Sequence, residues 1–154
     1  MTVKSRDALG LLAEQHKAIK TLFEQFDGLP EDARFSRKEV VRRICRLLTL
    51  HTAVESEVFY PAVRASTGDD TLLDEAIREH ASATTMIAEI EDMDPTDDLY
   101  PAKVKLLSRQ IDDHVRDEEG QMFARIRGSG LDLTELGATM SARMGHDETD
   151  DAAA

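Results

Sequence analysis

The sequence predicts an all-α protein, an up-down-up-down antiparallel four-helix bundle with a short C-terminal fifth helix. Three observations carry this. Apolar residues recur at alternating intervals of three and four in four long segments, the period of one buried helix face. Short stretches rich in Gly, Pro and Asp separate the segments, and short connections make neighbouring helices antiparallel. The chain also repeats itself: His16 maps to His80 at an offset of 64, and His51, Glu55 and Arg64 map to His114, Glu118 and Arg127 at an offset of 63. Two similar helical hairpins therefore pack face to face.

The first helix is expected from about Ser5 to Asp27, ending where Gly28 can cap it and Pro30 prevents continuation. Its seam reads Leu9, Leu12, His16, Ile19, Phe23 and Phe26. The second opens at "SRKE", where Ser36 and Glu39 form a capping-box signature. It continues to about Arg64, with Pro61 bending or ending its last turns. Its seam is Val41, Ile44, Leu48, His51, Glu55, Val58 and Ala62.

A third helix runs from about Thr71 to Asp92 with Leu73, Ala76, His80, Ala83, Ile87 and Ile90 on one face, and stops before Pro95. The fourth starts near Pro101, a suitable first-turn residue. It shows Val104, Leu107, Ile111, His114, Glu118, Met122 and Ile126 before "GSG" ends it. A short fifth helix is expected over about Leu133 to Met144. Residues 1–145 then form one domain and 146–154 an acidic disordered tail in which His146 is exposed.

The totals narrow the function. A length of 154 residues suffices for one domain with a real core. No run approaches a membrane span and no secretory leader opens the chain, so the expectation is a cytoplasmic protein without a membrane partner. A net charge of −12, with "RKEVVRR" as the one short basic cluster, argues against a nucleic-acid partner. Cys45 is the single cysteine, which rules out an intrachain disulfide and leaves a packing role for its thiol.

One question remains: why titratable residues occupy a seam that should be apolar. Four of the five histidines lie on seams, one per helix, with acids on the second and fourth helices. With about 1.5 Å of rise per residue, His16, His51, Glu55, His80, His114 and Glu118 reach one mid-bundle height. A His at i and a Glu at i+4 share a helix face with Cβ atoms about 6 Å apart, suited to chelation. Burying such a layer uncompensated costs several kcal/mol per ionised group, and metal ions offset that better than a bare polar network. Four imidazoles and two carboxylates exceed the needs of one tetrahedral zinc and are too rich in nitrogen for magnesium or calcium. Two ions sharing the carboxylates fit the set; iron is the natural choice, with manganese and zinc left open.

His16, "HTAVESEVFYPA" with its His51/Glu55 pair, His80, and "HVRDEE" with its His114/Glu118 pair resemble the pattern of hemerythrin-like, or HHE cation-binding, domains over about residues 8–128. The resemblance implies a non-heme di-iron centre, carboxylate-bridged by Glu55 and Glu118 and capped by the four histidines. Oxygen-carrying members have a second histidine where this chain has Thr84, and an aspartate where it has Glu119 beside Glu118. That departure points away from oxygen transport and toward reaction with oxygen, peroxide or nitric oxide. Glu57 and Glu119 are read as solvated flanks rather than ligands, and Tyr60 as packing near the helix end, the alternative being a hydrogen-bond donor or redox-active phenol at the site.

The expected function is accordingly a di-iron protein that reacts with or binds a small oxidant, with catalase-like peroxide disproportionation as its enzymatic form. The alternative is a non-catalytic oxygen, nitric oxide or iron sensor or reservoir; a third reading is an interaction module whose polar layer sets register. No catalytic residue is assigned, and a monomer or weak homodimer is expected.

Overall fold

The structure, a computed structural model, describes residues 7–153, with side chains described over 7–145. Among these residues there is no strand. Helix α1 spans Ala8–Asp27 and opens on Asp7, whose Oδ1 accepts from the Gly10 N–H at 2.8 Å; this satisfies one of the orphan donors of the first turn. Two long rods follow it, each an α-helix interrupted by one π-helical stretch. The first comprises α2 (Arg34–Val54), a π segment over Glu55–Phe59 and α3 (Tyr60–Thr67). After α4 (Asp70–Asp92) the second comprises α5 (Tyr100–Asp117), a π segment over Glu118–Met122 and α6 (Phe123–Arg127). Helix α7 (Leu133–Ala153) packs back on α1, α2 and the first π segment. The architecture is the four-helix bundle with a fifth helix that the periodicity predicts.

Three local expectations differ. Helix α2 starts at Arg34, with Ala33 as its cap and no side-chain capping bond. A preceding turn, with the Ala33 N–H donating to the Pro30 carbonyl at 3.0 Å, delivers the chain already helical, and Ser36 falls inside the first turn. Pro61 does not end its rod. The Tyr60 N–H reaches back five residues to the Glu55 carbonyl, and after this register change Pro61 sits in the first turn of α3, where no N–H is required. The rod stops instead at Gly68, in the left-handed region at φ 65 that glycine adopts without strain. The fifth helix continues to Ala153 rather than ending near Met144; the side chains of the acidic segment, His146 included, lie outside the described residues.

The core divides into two apolar clusters. One holds Leu12, Val54, Phe59, Val63, Leu73, Phe123, Ile126 and, from α7, Leu136 and Met140. The other holds Ile19, Phe23, Ile44, Leu48, Ile87, Tyr100, Leu107 and Ile111. The four seam histidines fall between the clusters along every helix: His16 between Leu12 and Ile19, His51 between Leu48 and Val54, His80 between Ala76 and Ala83, His114 between Ile111 and Met122. Cys45 packs in the second cluster, and burial pushes its thiol up to about 12, so it is inert filling.

Candidate metal centre

The polar layer is as compact as the seam positions predict. Ligand-type atoms of His16, His51, Glu55 and Glu118 lie within 4.8 Å of one another, and so do those of Glu55, His80 and His114. Glu55 belongs to both groups. All six residues are buried.

Each of the four seam histidines turns Nε2 inward. His51 Nε2 lies 2.8 Å and His80 Nε2 3.1 Å from Glu55 Oε1. His16 Nε2 lies 3.3 Å from Glu118 Oε1, and His114 Nε2 3.1 Å from Glu118 Oε2. His16 and His51 also point Nε2 at Nε2 across 3.2 Å, a separation suited to two nitrogens at about 2.1 Å from one ion.

Each outer nitrogen has its own partner. His51 Nδ1 meets Gln15 Oε1 at 2.7 Å, His114 Nδ1 meets Glu79 Oε2 at 2.7 Å, and His16 Nδ1 meets Glu119 Oε2 at 3.2 Å. His80 Nδ1 has Ser56 Oγ at 3.5 Å. The carboxylate and amide oxygens at His16, His51 and His114 accept from a protonated Nδ1 and leave Nε2 to coordinate, the arrangement by which ligating imidazoles are oriented.

The centre also holds residues that the seam does not predict. Tyr60 is part of it: its hydroxyl donates to Glu118 Oε2 at 2.7 Å and lies 3.2 Å from His80 Nε2. Burial, with the Glu55 and Glu118 charges, pushes the phenol well above its usual value, so it stays a neutral donor. Glu119 is not merely a solvated flank, since it orients His16. Gln15, Glu79 and Ser56 were not legible as site residues. Glu57 is turned away and accepts from Arg143 Nε at 2.7 Å. Thr84 Oγ1 donates to the His80 carbonyl at 2.9 Å rather than into the layer.

Electrostatics fit a cation site. Burial alone would lower the His114 imidazole, but contacts with Glu118, Glu55 and Glu79 outweigh it and raise it to about 12. His16 is raised by Glu118, Glu55 and Glu119 against the same burial. Burial would raise the Glu55 carboxyl, yet the His51 charge and contacts with Glu118 and His114 hold it well below the carboxylate range. Protons on imidazole thus supply the positive charge that buried carboxylates require, and metal ions would displace them. Glu55 Oε2 is buried without a hydrogen-bond partner, and Glu118 Oε1 and His114 Nε2, though within ion-pair distance of His16 and Glu118, make no aligned hydrogen bond. Such unfilled valences are rare in native cores, and the donor set, imidazole nitrogen with carboxylate oxygen, suits divalent first-row metals.

The family model of the hemerythrin HHE cation binding domain matches residues 7–126. The chain belongs to this family. As an HHE domain it is a cation-binding module whose His/Glu groups could hold metal. Its fold is similar to the crystal structure of an HHE cation binding domain-containing protein from Mycobacterium kansasii, with TM-score 0.79, 24% sequence identity, and coverage of 92% of this chain and 86% of that one. It is also 30% identical over 126 residues to a protein of Nostoc sp. described as a DNA nickase, covering 80% of this chain and 35% of the relative. The chain therefore spans about a third of that relative's length.

Proposed function

We propose that this HHE domain holds two iron ions between its helix pairs and reacts with or binds a small oxidant: peroxide, oxygen or nitric oxide. The observation that carries the reading is the set of four inward Nε2 atoms around two buried carboxylates that keep unpartnered oxygens. One position would take His16, His51, Glu55 and Glu118; the other, His80 and His114 with Glu55, beside Tyr60. Iron there would supply electron transfer to and from the oxidant.

The chain's own residues set what can react. Ile19, Leu48, Ala83 and Ile111 meet the four histidines around a cavity of about 10 Å³, the scale of a single water. A space of that size among the histidines admits only a small molecule. The Tyr60 hydroxyl supplies a neutral donor at the layer.

Purified protein from iron-supplemented cells should carry about two irons per chain, lost in a His51→Ala, His114→Ala double variant. Oxygen evolution from peroxide by the loaded protein identifies the catalase-like form. A reversible absorbance change with oxygen or nitric oxide and no turnover identifies a sensor or reservoir, which the small cavity also accommodates. DNA cleavage is not carried over from the longer relative, because a chain of charge −12 repels phosphate.

A further inference from the structure

Two open grooves run from the surface to the polar layer, and they differ in charge. One, between α1 and α5, reaches His16 and Glu119 and carries Lys17, Lys20 and Arg116 along with Asp112. The other, between α4 and the rod of α5 and the second π segment, has a volume of about 380 Å³ and carries Glu75, Glu79, Asp117 and Glu118 against Arg116 and, at its inner end, His114.

We infer that the α4/α5 groove, through Glu75 and Asp117, is the route by which a divalent metal ion is captured from water and delivered to the buried layer. The inference rests on the metal-centre reading above. Its first support is the inner end of the groove: Glu118 and His114, both at least nine-tenths buried, line it, and each keeps one polar atom, Glu118 Oε1 and His114 Nε2, without an aligned hydrogen bond. The second is a gradient of exposure. Glu75 and Asp117 are exposed, the Glu79 side chain is 26% exposed and that of Glu118 1%. Glu75 and Glu79 share a face of α4 one turn apart, and Asp117 adjoins Glu118, so carboxylates step inward from both walls.

The third support is pairing. Glu79 is engaged by His114 Nδ1, and Arg116 is bound to Asp113 at 2.7 Å. Glu75 and Asp117 make no hydrogen bond or ion pair among the described residues, which leaves their charge to the solvent-filled groove. Carboxylate oxygens are ligands for hydrated divalent ions, and a groove in which acids outnumber cations raises local ion concentration and on-rate. The lysine-bearing groove would repel the same ion.

The test is the rate of loading, separate from any activity. Metal-stripped full-length protein, checked for helicity by circular dichroism, is mixed anaerobically with ferrous iron, and free iron is read at timed intervals with a chromogenic chelator. The Glu75→Gln, Asp117→Asn variant should load about three to ten times more slowly at low ionic strength. It should reach the wild-type iron content per chain, and the difference should collapse near 1 M salt, where charges are screened within about 3 Å. Glu31→Gln, Asp32→Asn, which removes the same charge from the α1–α2 loop, should load at the wild-type rate. Equal rates for the groove variant and wild type would overturn the route while leaving the centre intact, as would a reduced final iron content, which would make these carboxylates part of the site. A wild type that takes up no iron would overturn the centre and the route together.

Discussion

The two halves of the duplicated chain contribute matching parts to the layer and then diverge around them. Gln15 and Glu79 occupy equivalent positions at an offset of 64, each holding the outer nitrogen of the next helix's histidine. Ser56 and Glu119, at an offset of 63, each face the outer nitrogen of a histidine from the other half. The inner shell repeats without change, while the outer partners are neutral in the first half and anionic in the second. Each proposed metal position therefore combines one histidine backed by a carboxylate with one backed by an uncharged group. Tyr60 breaks the balance: its equivalent at an offset of 63 is Phe123, buried but without a hydroxyl. The duplication thus fixes where the six layer residues stand, and the two halves differ in what surrounds them.

Substitutions can break or sharpen that comparison. The largest effect is expected from Glu55→Ala, since Glu55 serves both groups; elemental analysis should find both irons lost, whereas retention of one would show that the halves bind independently. Next comes Glu79→Ala, which removes the carboxylate behind His114 and should weaken metal affinity about 10- to 100-fold in a chelator competition. Glu79→Gln, which makes the second half resemble the first, should cost much less.

Tyr60→Phe, copying Phe123, deletes a buried bond to Glu118 and should lower the stability of metal-free protein by about 1–3 kcal/mol in urea titration. No change would mean that the hydroxyl contributes nothing to the fold. The smallest effect is expected from Glu57→Gln, whose pairing with Arg143 lies at the surface: below about 1 kcal/mol, with metal content unaltered.

The bundle was legible because its seams hold one period over about twenty residues, and the six layer residues because each is polar where the stripe should be apolar. Residues one position off the seam gave no such signal. Gln15 and Glu79 immediately precede seam histidines, and Ser56 and Glu119 immediately follow seam glutamates, so periodicity alone places them on flanks. The offset that pairs them was the available clue.

Tyr60 was misplaced for a different reason. A regular helix continuing from Glu55 buries Val58 and Ala62, but the π segment adds a residue to the turn and Phe59, Tyr60 and Val63 are buried instead. The second rod carried a trace of this in the successive fours from Glu118 to Met122 to Ile126, where a plain seam would alternate. Helix ends were the least legible part, because Pro61 stops a regular helix and not one that has just changed its hydrogen-bond register.

The two π segments begin at Glu55 and Glu118, so both rods have their least regular backbone in their interior, about two-thirds of the way along, rather than at their ends. Fraying normally starts from the termini, and a long helix exchanges its central amides last. Here the amides of residues 55–60 and 118–123 should trade hydrogen for deuterium sooner than those of the flanking turns, despite lying deeper. Filling the centre with metal should slow them selectively, which makes deuterium uptake a readout of occupancy confined to two short peptides of this chain.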